Sequence, residues 1–190
     1  GTYYLVDGEG WINASDLSTT DNRIEAVQKV LNEKYNNQER ISVYVKQLDT
    51  DRVAAINDEK SMYAASVAKL GVLYYAQERL SQKKLSLSDE YQYTSAVNGF
   101  PGAYDPDGSG KISKMPDDKN YSLENLLKAV AQNSDNVATN ILGYYVTNQY
   151  DKAFQKSVDK AAATSWNMDK KELTARAAGT LMEAVYRQNG

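Results

Sequence analysis

Ser66-Val67-Ala68-Lys69 sets a hydroxyl and an amine three residues apart in a chain that has no histidine and no cysteine. A serine hydroxyl is a weak nucleophile at neutral pH and needs a base beside it. With histidine missing, a lysine amine is the base that remains. Residues i and i+3 of a helix share a face, so Ser66 and Lys69 can meet without help from distant segments. The same spacing occurs at Ser81/Lys84 and Ser157/Lys160, but those pairs stand among charged residues and read as solvated surface. Ser66 instead opens the run Val67, Leu70, Val72, Leu73, Tyr74, which has the pattern of a buried helix. An ammonium in the first turn of such a helix is costly unless it is paired or neutralised. Two readings of this stretch stand side by side: a capping serine with a lysine reaching to solvent, and a serine nucleophile with a lysine base.

A second group, Ser134-Asp135-Asn136, lies between two helical patterns. Taken alone it reads as a helix-capping corner. Taken with Ser66 and Lys69 it supplies a hydroxyl and an amide of the kind a lysine base needs as partners. A third group, Asp105-Pro106-Asp107-Gly108-Ser109-Gly110-Lys111-Ile112, has oxygen-bearing residues at alternate positions and a glycine where a calcium loop turns. Asp105, Asp107 and Ser109 would be its ligands. The twelfth position is Pro116, where a bidentate glutamate is expected, so a surface turn is the favoured reading.

The elements that must carry these groups follow from periodicity. Tyr3 to Val6 and Trp11-Ile12 read as strands around the turn Asp7-Gly8-Glu9-Gly10, in a leading segment that ends at Ser18-Thr19-Thr20. Asp21 is placed to cap a helix over residues 22–34 with Ile24, Val27, Val30 and Leu31 on one face. Residues 41–48 and 52–56 form a hairpin about Asp49-Thr50-Asp51. The helix that begins near Ser66 fades at Glu78-Arg79-Leu80. Residues 81–121 carry no long periodic element. Helices are expected over 123–131 behind Ser122, over 137–146, from Asp151 to Ala163, and from Thr174 to Arg187, with Asn189-Gly190 as a stop. This order, helix, hairpin and then a mainly helical block, favours an α+β fold over a βαβ repeat.

Composition narrows the chemistry. The 190 residues suffice for one substantial domain, and 42% apolar content with a net charge of −3 fits a globular chain without an electrostatic nucleic-acid surface. No apolar run is long enough for a membrane span, and no secretory signal is visible. The absence of cysteine removes disulfides and thiol catalysis, and the absence of histidine removes the commonest zinc ligand. No cofactor is called for. Fifteen tyrosines against two phenylalanines suit half-exposed, polysaccharide-facing or interface surfaces, or reflect compositional habit.

An S-x-x-K at the head of a buried helix after a hairpin, followed 68 residues on by S-D-N, is the signature pair of class A β-lactamases and penicillin-binding proteins. From about Asp21 to Gly190 the chain resembles that serine hydrolase family, and Ala138, Asn140 and Leu142 extend the likeness. The resemblance implies a helical domain with an antiparallel sheet flanked by helices. It implies Ser66 as the nucleophile that forms an acyl-enzyme with a β-lactam or a peptide ending in D-Ala-D-Ala. Lys69 would be the base, Ser134 the proton shuttle and Asn136 a substrate-holding residue, with Asp135 bracing the corner. The setting would be the outside of a bacterial cell. The domain is expected over 19–190. Residues 1–18, with Gly10-Trp11, resemble the end of a small SH3-like wall-binding module.

Two departures qualify the likeness. No K-T-G or K-S-G occurs, although the family places that triad on a strand after the late helix, where it supplies an anion-binding lysine and an oxyanion-hole amide. The chain is therefore expected to be incomplete at its C-terminal sheet strands, which a second chain or fragment would supply. The glutamate that activates the deacylating water in class A enzymes also has no clear counterpart. Glu172, in Glu172-Leu173-Thr174, is the nearest match, and without such a base deacylation is slow. A relative of the fold that binds wall or partner without catalysis is the alternative.

Overall fold

Gly10 at φ +85 lets the chain double back, and Tyr3–Val6 (β1) pairs antiparallel with Gly10–Asn13 (β2), Leu5 opposite Trp11. The computed structural model describes residues 2–6, 10–13 and 21–187. The turn at 7–9, the segment end at 18–20 and the helix stop at 189–190 lie outside them. The chain divides into two compact units, Gly1–Ile56 and Asn57–Gly190.

In the first unit, Arg23–Tyr35 forms helix α1, and Val43–Gln47 (β3) and Arg52–Ile56 (β4) form the expected hairpin. Asp51 takes the left-handed conformation that closes its turn. Ile24 and Leu31 of α1 are buried with Ala54, and Val27, Tyr35, Val43 and Ile56 pack on them. Asp21 accepts from the Arg23 amide rather than capping deeper in the helix. Gln28 serves as a stand-in strand: its amide donates to Ala55 O at 3.0 Å and accepts from Ala55 N at 2.8 Å. Those two backbone groups on the side of β4 away from β3 are thereby satisfied.

The second unit is mostly helical. Met62–Tyr63 (β5) leads into a 3-10 turn, Ala65–Lys69, which continues as Leu70–Ser81 (α2). Glu90–Gln92 (β6) pairs with Asn120–Ser122 (β7) across an otherwise irregular stretch. Leu123–Asn133 (α3), Asn136–Tyr145 (α4), Lys152–Ala162 (α5), Glu172–Leu173 (β8) and Ala175–Arg187 (α6) complete it, with β8 antiparallel to β5. Ser122 caps α3 as the sequence marks, and Asp151 and Thr174, expected as the first helical residues, stand outside α5 and α6 and cap them. Ser122 accepts from Asn125 N, Asp151 from Ala153 N and Phe154 N, and Thr174 from Ala177 N. Every strand pair among the described residues is antiparallel, in keeping with the α+β expectation.

Helix α4 lies at the centre. Asn136 to Gly143 are all buried, so this helix is covered on every side, and α2, α3 and α5 present Val72, Leu126, Val130, Phe154 and Val158 to the same core. Trp166 is fully buried, and its indole N–H donates to Ala68 O at 3.2 Å. Gly71 permits that approach, since a Cβ there would stand 2.7 Å from the indole nitrogen. Among the described residues no helix is long and apolar enough to cross a membrane.

Candidate active site

The turn that bears Ser66 is tighter than an α-helix. Ser66 is the second residue of the 3-10 segment, and Lys69 at its end caps α2. The Ser66 side is exposed, while Lys69 is only 2% exposed. Ala65, directly before the serine, has φ +45, a conformation that costs a non-glycine residue roughly 1 kcal/mol or more. Strain of this kind at the residue before a nucleophile keeps the next side chain pointed outward only if neighbouring groups hold the turn.

Lys69 spends its hydrogen bonds on the Ser134-Asp135-Asn136 corner. Among the described residues no hydrogen bond joins its side chain to that of Ser66, and Ser66 Oγ makes none at all. The Lys69 ammonium instead donates to Ser134 O at 2.5 Å, Ser134 Oγ at 3.1 Å and Asn136 Oδ1 at 2.6 Å. Three of the four expected residues therefore meet, and the fourth sits three positions back on the same turn. Burial pushes Lys69 down to about 8, against which the nearby Asp135 charge works in the opposite direction. A lysine so placed carries a sizeable neutral fraction near neutral pH, which a proton acceptor requires.

The Ser134-Asp135-Asn136 corner is built from both sides. Ser134 ends α3 in the left-handed conformation, and Asp135 begins α4 by accepting from Ala138 N at 2.9 Å. The other Asp135 oxygen accepts from Lys111 N at 2.5 Å and Ile112 N at 2.9 Å. Asn136 N donates to Ser109 O at 2.8 Å, Asn136 Nδ2 to Asp105 O at 2.7 Å, and Ser109 Oγ to Ser134 O at 3.0 Å. Because Nδ2 is spent on Asp105, Asn136 presents its oxygen to Lys69.

The loop with calcium-like spacing is thus a strap over this corner. Asp107 N closes on the Asp105 carboxylate at 2.9 Å, and Ser109 spends its hydroxyl on Ser134. Among the described residues no group of three or more acidic, histidine or cysteine side chains is placed to hold a metal ion. The glycines have a packing reason. A Cβ on Gly108 would run into the Asn136 amide, and one on Gly110 would stand 2.5–2.7 Å from the Asp135 carboxyl atoms at φ +137. Gly110→Ala is expected to cost about 2 kcal/mol, read as a lowered urea midpoint; an unchanged midpoint would show that the strap does not bear on stability.

Among the described residues Glu172 makes no hydrogen bond to Lys69, Ser134 or Asn136. It is exposed on β8, opposite Tyr63 of β5. The competing Ser-x-x-K pairs remain surface features: Ser81 Oγ donates to Glu78 O, Ser157 Oγ to Glu78 Oε2, and Lys84 and Lys160 are exposed. Tyr104 and Lys171 were not indicated by any motif, yet both touch the site. Each lysine ammonium, of Lys69 and of Lys171, stands against the Tyr104 ring.

Comparison with known proteins agrees with this architecture. The profile of the beta-lactamase enzyme family matches residues 22–190. No curated protein matches the chain. Among solved structures, PBP-A in an acyl-enzyme complex with penicillin G superposes with a TM-score of 0.67 at 15% identity, over 87% of this chain and 63% of that one. A β-lactamase from Sphaerobacter thermophilus gives 0.63 at 16% identity, over 88% and 64%. A D-alanyl-D-alanine carboxypeptidase from Francisella tularensis gives 0.62 at 17% identity, over 80% and 38%. The chain spans less than two thirds of the length of each of these three structures. Its fold is that of the β-lactamases and penicillin-binding proteins, and with the family profile covering all but the first 21 residues, the chain belongs to the beta-lactamase enzyme family.

Proposed function

We propose that this chain is the acylating part of a serine hydrolase of the β-lactamase and penicillin-binding class, acting on β-lactams or on D-Ala-D-Ala-type cell-wall peptides outside a bacterial cell. The observation that carries the reading is the hydrogen-bonded set of Lys69 Nζ, Ser134 Oγ and Asn136 Oδ1 at the end of the turn that bears Ser66. In the acylation step the neutral Lys69 amine takes the Ser66 proton, and Ser66 Oγ bonds to the substrate carbonyl carbon. As the C–N bond breaks, the Ser134 hydroxyl gives its proton to the leaving nitrogen and takes the one held on Lys69, so the lysine is neutral again and an ester on Ser66 results. Asn136 holds the lysine and the substrate amide. Glu172 is the candidate base for deacylation, and its exposed place on β8 favours slow turnover. Within this reading, sheet strands from further sequence or a second chain complete the oxyanion hole, and residues 1–18 belong to a wall-binding module.

The acyl-transfer reading is tested by incubating the full-length protein, with the strands that complete its oxyanion hole, with a fluorescent penicillin and weighing the intact product. A stable adduct located on Ser66, and lost in Ser66→Ala, is expected, with little nitrocefin turnover. The alternative, a wall- or partner-binding relative without catalysis, draws support from the missing Ser66–Lys69 hydrogen bond. It requires no adduct at any pH together with retention on insoluble peptidoglycan.

A further inference from the structure

Two ammonium groups share one tyrosine ring. Lys69 Nζ stands 4.6 Å and Lys171 Nζ 4.5 Å from the centre of the Tyr104 ring. A ring face attracts a cation through its quadrupole, and more strongly where water is excluded; Tyr104 is buried. The ring is itself held in place from α4. Asn140 accepts from Tyr104 N at 2.7 Å, donates to Tyr104 O at 2.8 Å, and donates to Asn98 Oδ1 at 2.9 Å. Both members of the pair also grip the strained turn. Tyr104 OH donates to Ala65 O at 3.2 Å, and Lys171 O accepts from Ala64 N at 2.7 Å. The Lys171 ammonium closes the circuit by donating to Gly102 O at 3.1 Å. Ala65, whose φ is positive, is therefore restrained on its carbonyl by one residue and through its neighbour's amide by the other.

We propose that Tyr104 and Lys171 are positioning residues of the Ser66–Lys69 centre, the tyrosine ring seating both ammonium groups while its hydroxyl and the Lys171 carbonyl hold the turn before Ser66. The inference rests on the acyl-transfer reading above. Neither residue forms a bond to substrate or carries a proton in the proposed step. Their effect is to keep Ser66 outward and Lys69 against Ser134, and misplacement of a reacting group by about 1 Å can cost up to about a hundredfold in rate. Lys171 also brings the 167–172 segment into the site: Asp169 attracts its ammonium, while burial lowers its proton affinity.

The test separates rate from affinity. In stopped-flow acylation with a fluorescent penicillin, Lys171→Met is expected to lower the acylation rate constant about tenfold, with the dissociation constant of the pre-covalent complex within about twofold of the parent. Lys171→Arg keeps a cation that stacks on the ring and is expected to restore most of the rate. Tyr104→Phe, which keeps the ring and loses the hydroxyl tether, should fall between parent and Lys171→Met. A raised dissociation constant with an unchanged rate constant overturns the proposal, because it marks direct substrate contact. An NMR spectrum of ε-carbon-labelled lysine gives a readout that needs no acylation. The Lys69 ε-methylene, shifted by the ring current of Tyr104, is expected to move in Lys171→Met, and an unmoved signal overturns the positioning role. If the parent takes up no penicillin, the acyl-transfer reading falls and the lysine spectrum alone decides the proposal.

Discussion

Lys69→Met is expected to abolish penicillin uptake, slowing acylation of Ser66 by about a thousandfold or more, while the chain stays folded. The catalytic loss follows from the proposed chemistry: a hydroxyl with no base beside it is a weak nucleophile. The retained fold follows from energetics. Burying an ammonium costs several kcal/mol before its hydrogen bonds offset it. Methionine fills similar volume without that cost, and Ser134 O keeps Ser109 Oγ as a donor. Asn136 Oδ1 loses its donor, which offsets part of that gain, so the urea midpoint should fall by no more than about 2 kcal/mol equivalent. In the unmutated chain, burial holds Lys69 at about 8, so roughly a tenth of it is neutral at pH 7. The acylation rate should then climb with pH up to about 8 and level off above it. A rate that is flat between pH 6 and pH 9 would exclude Lys69 as the base.

Asp135→Ala is expected to be the most destabilising single change at the site, by about 3–5 kcal/mol. The carboxylate is fully buried and accepts three backbone N–H groups, from Lys111, Ile112 and Ala138. Alanine leaves all three donors without an acceptor and removes the cap of the central helix. Asp135→Asn should be nearly as harmful. It has a single acceptor oxygen for donors that approach from two sides, so its NH2 group must face an amide N–H. Thermal melts should show a drop on the order of 10 °C for either variant. A loss below about 1 kcal/mol would mean that the 105–112 strap has other anchors strong enough to hold it.

The elements were legible where a local rule governs them. Ser122 caps the helix it precedes because an N-cap bond is made within three residues, and the helices expected from Asp151 and Thr174 begin one residue later because those two side chains make the same kind of bond. Of the stripe Ile24, Val27, Val30 and Leu31, which marks a helix whatever lies around it, Val30 is exposed and only the other three pack against the hairpin. The meeting of Lys69 with Ser134 and Asn136 was legible for another reason: two motifs in the right order restrict each other, although Ser134 lies 65 positions after Lys69. What local pattern could not supply is what the long-range contacts decide. The 3-10 turn that starts at Ala65 depends on Lys171, Tyr104 and Trp166, which bind the backbone at Ala64 N, Ala65 O and Ala68 O. Spacing alone made residues 105–112 resemble a cation loop. The glycines there serve close approach to Asn136 and Asp135, and that need is visible only once the strap lies on the corner. The tyrosine excess likewise resolves residue by residue. Tyr93 and Tyr104 are buried because each hydroxyl reaches a carbonyl, of Lys114 and of Ala65.

The chain holds two tryptophans in opposite settings. Trp11 is 70% exposed, and Trp166 is fully buried with its indole N–H on Ala68 O. Ala68 lies between Ser66 and Lys69, so the indole is tethered to the backbone of the turn that bears the nucleophile. Excited at their red edge, the two indoles emit separately: Trp11 near the wavelength of indole in water, Trp166 further to the blue. The blue component is a built-in optical gauge of that turn, and Trp11→Phe isolates it. Strain relief or displacement of residues 65–69 can then be followed in unlabelled protein on the timescale of mixing.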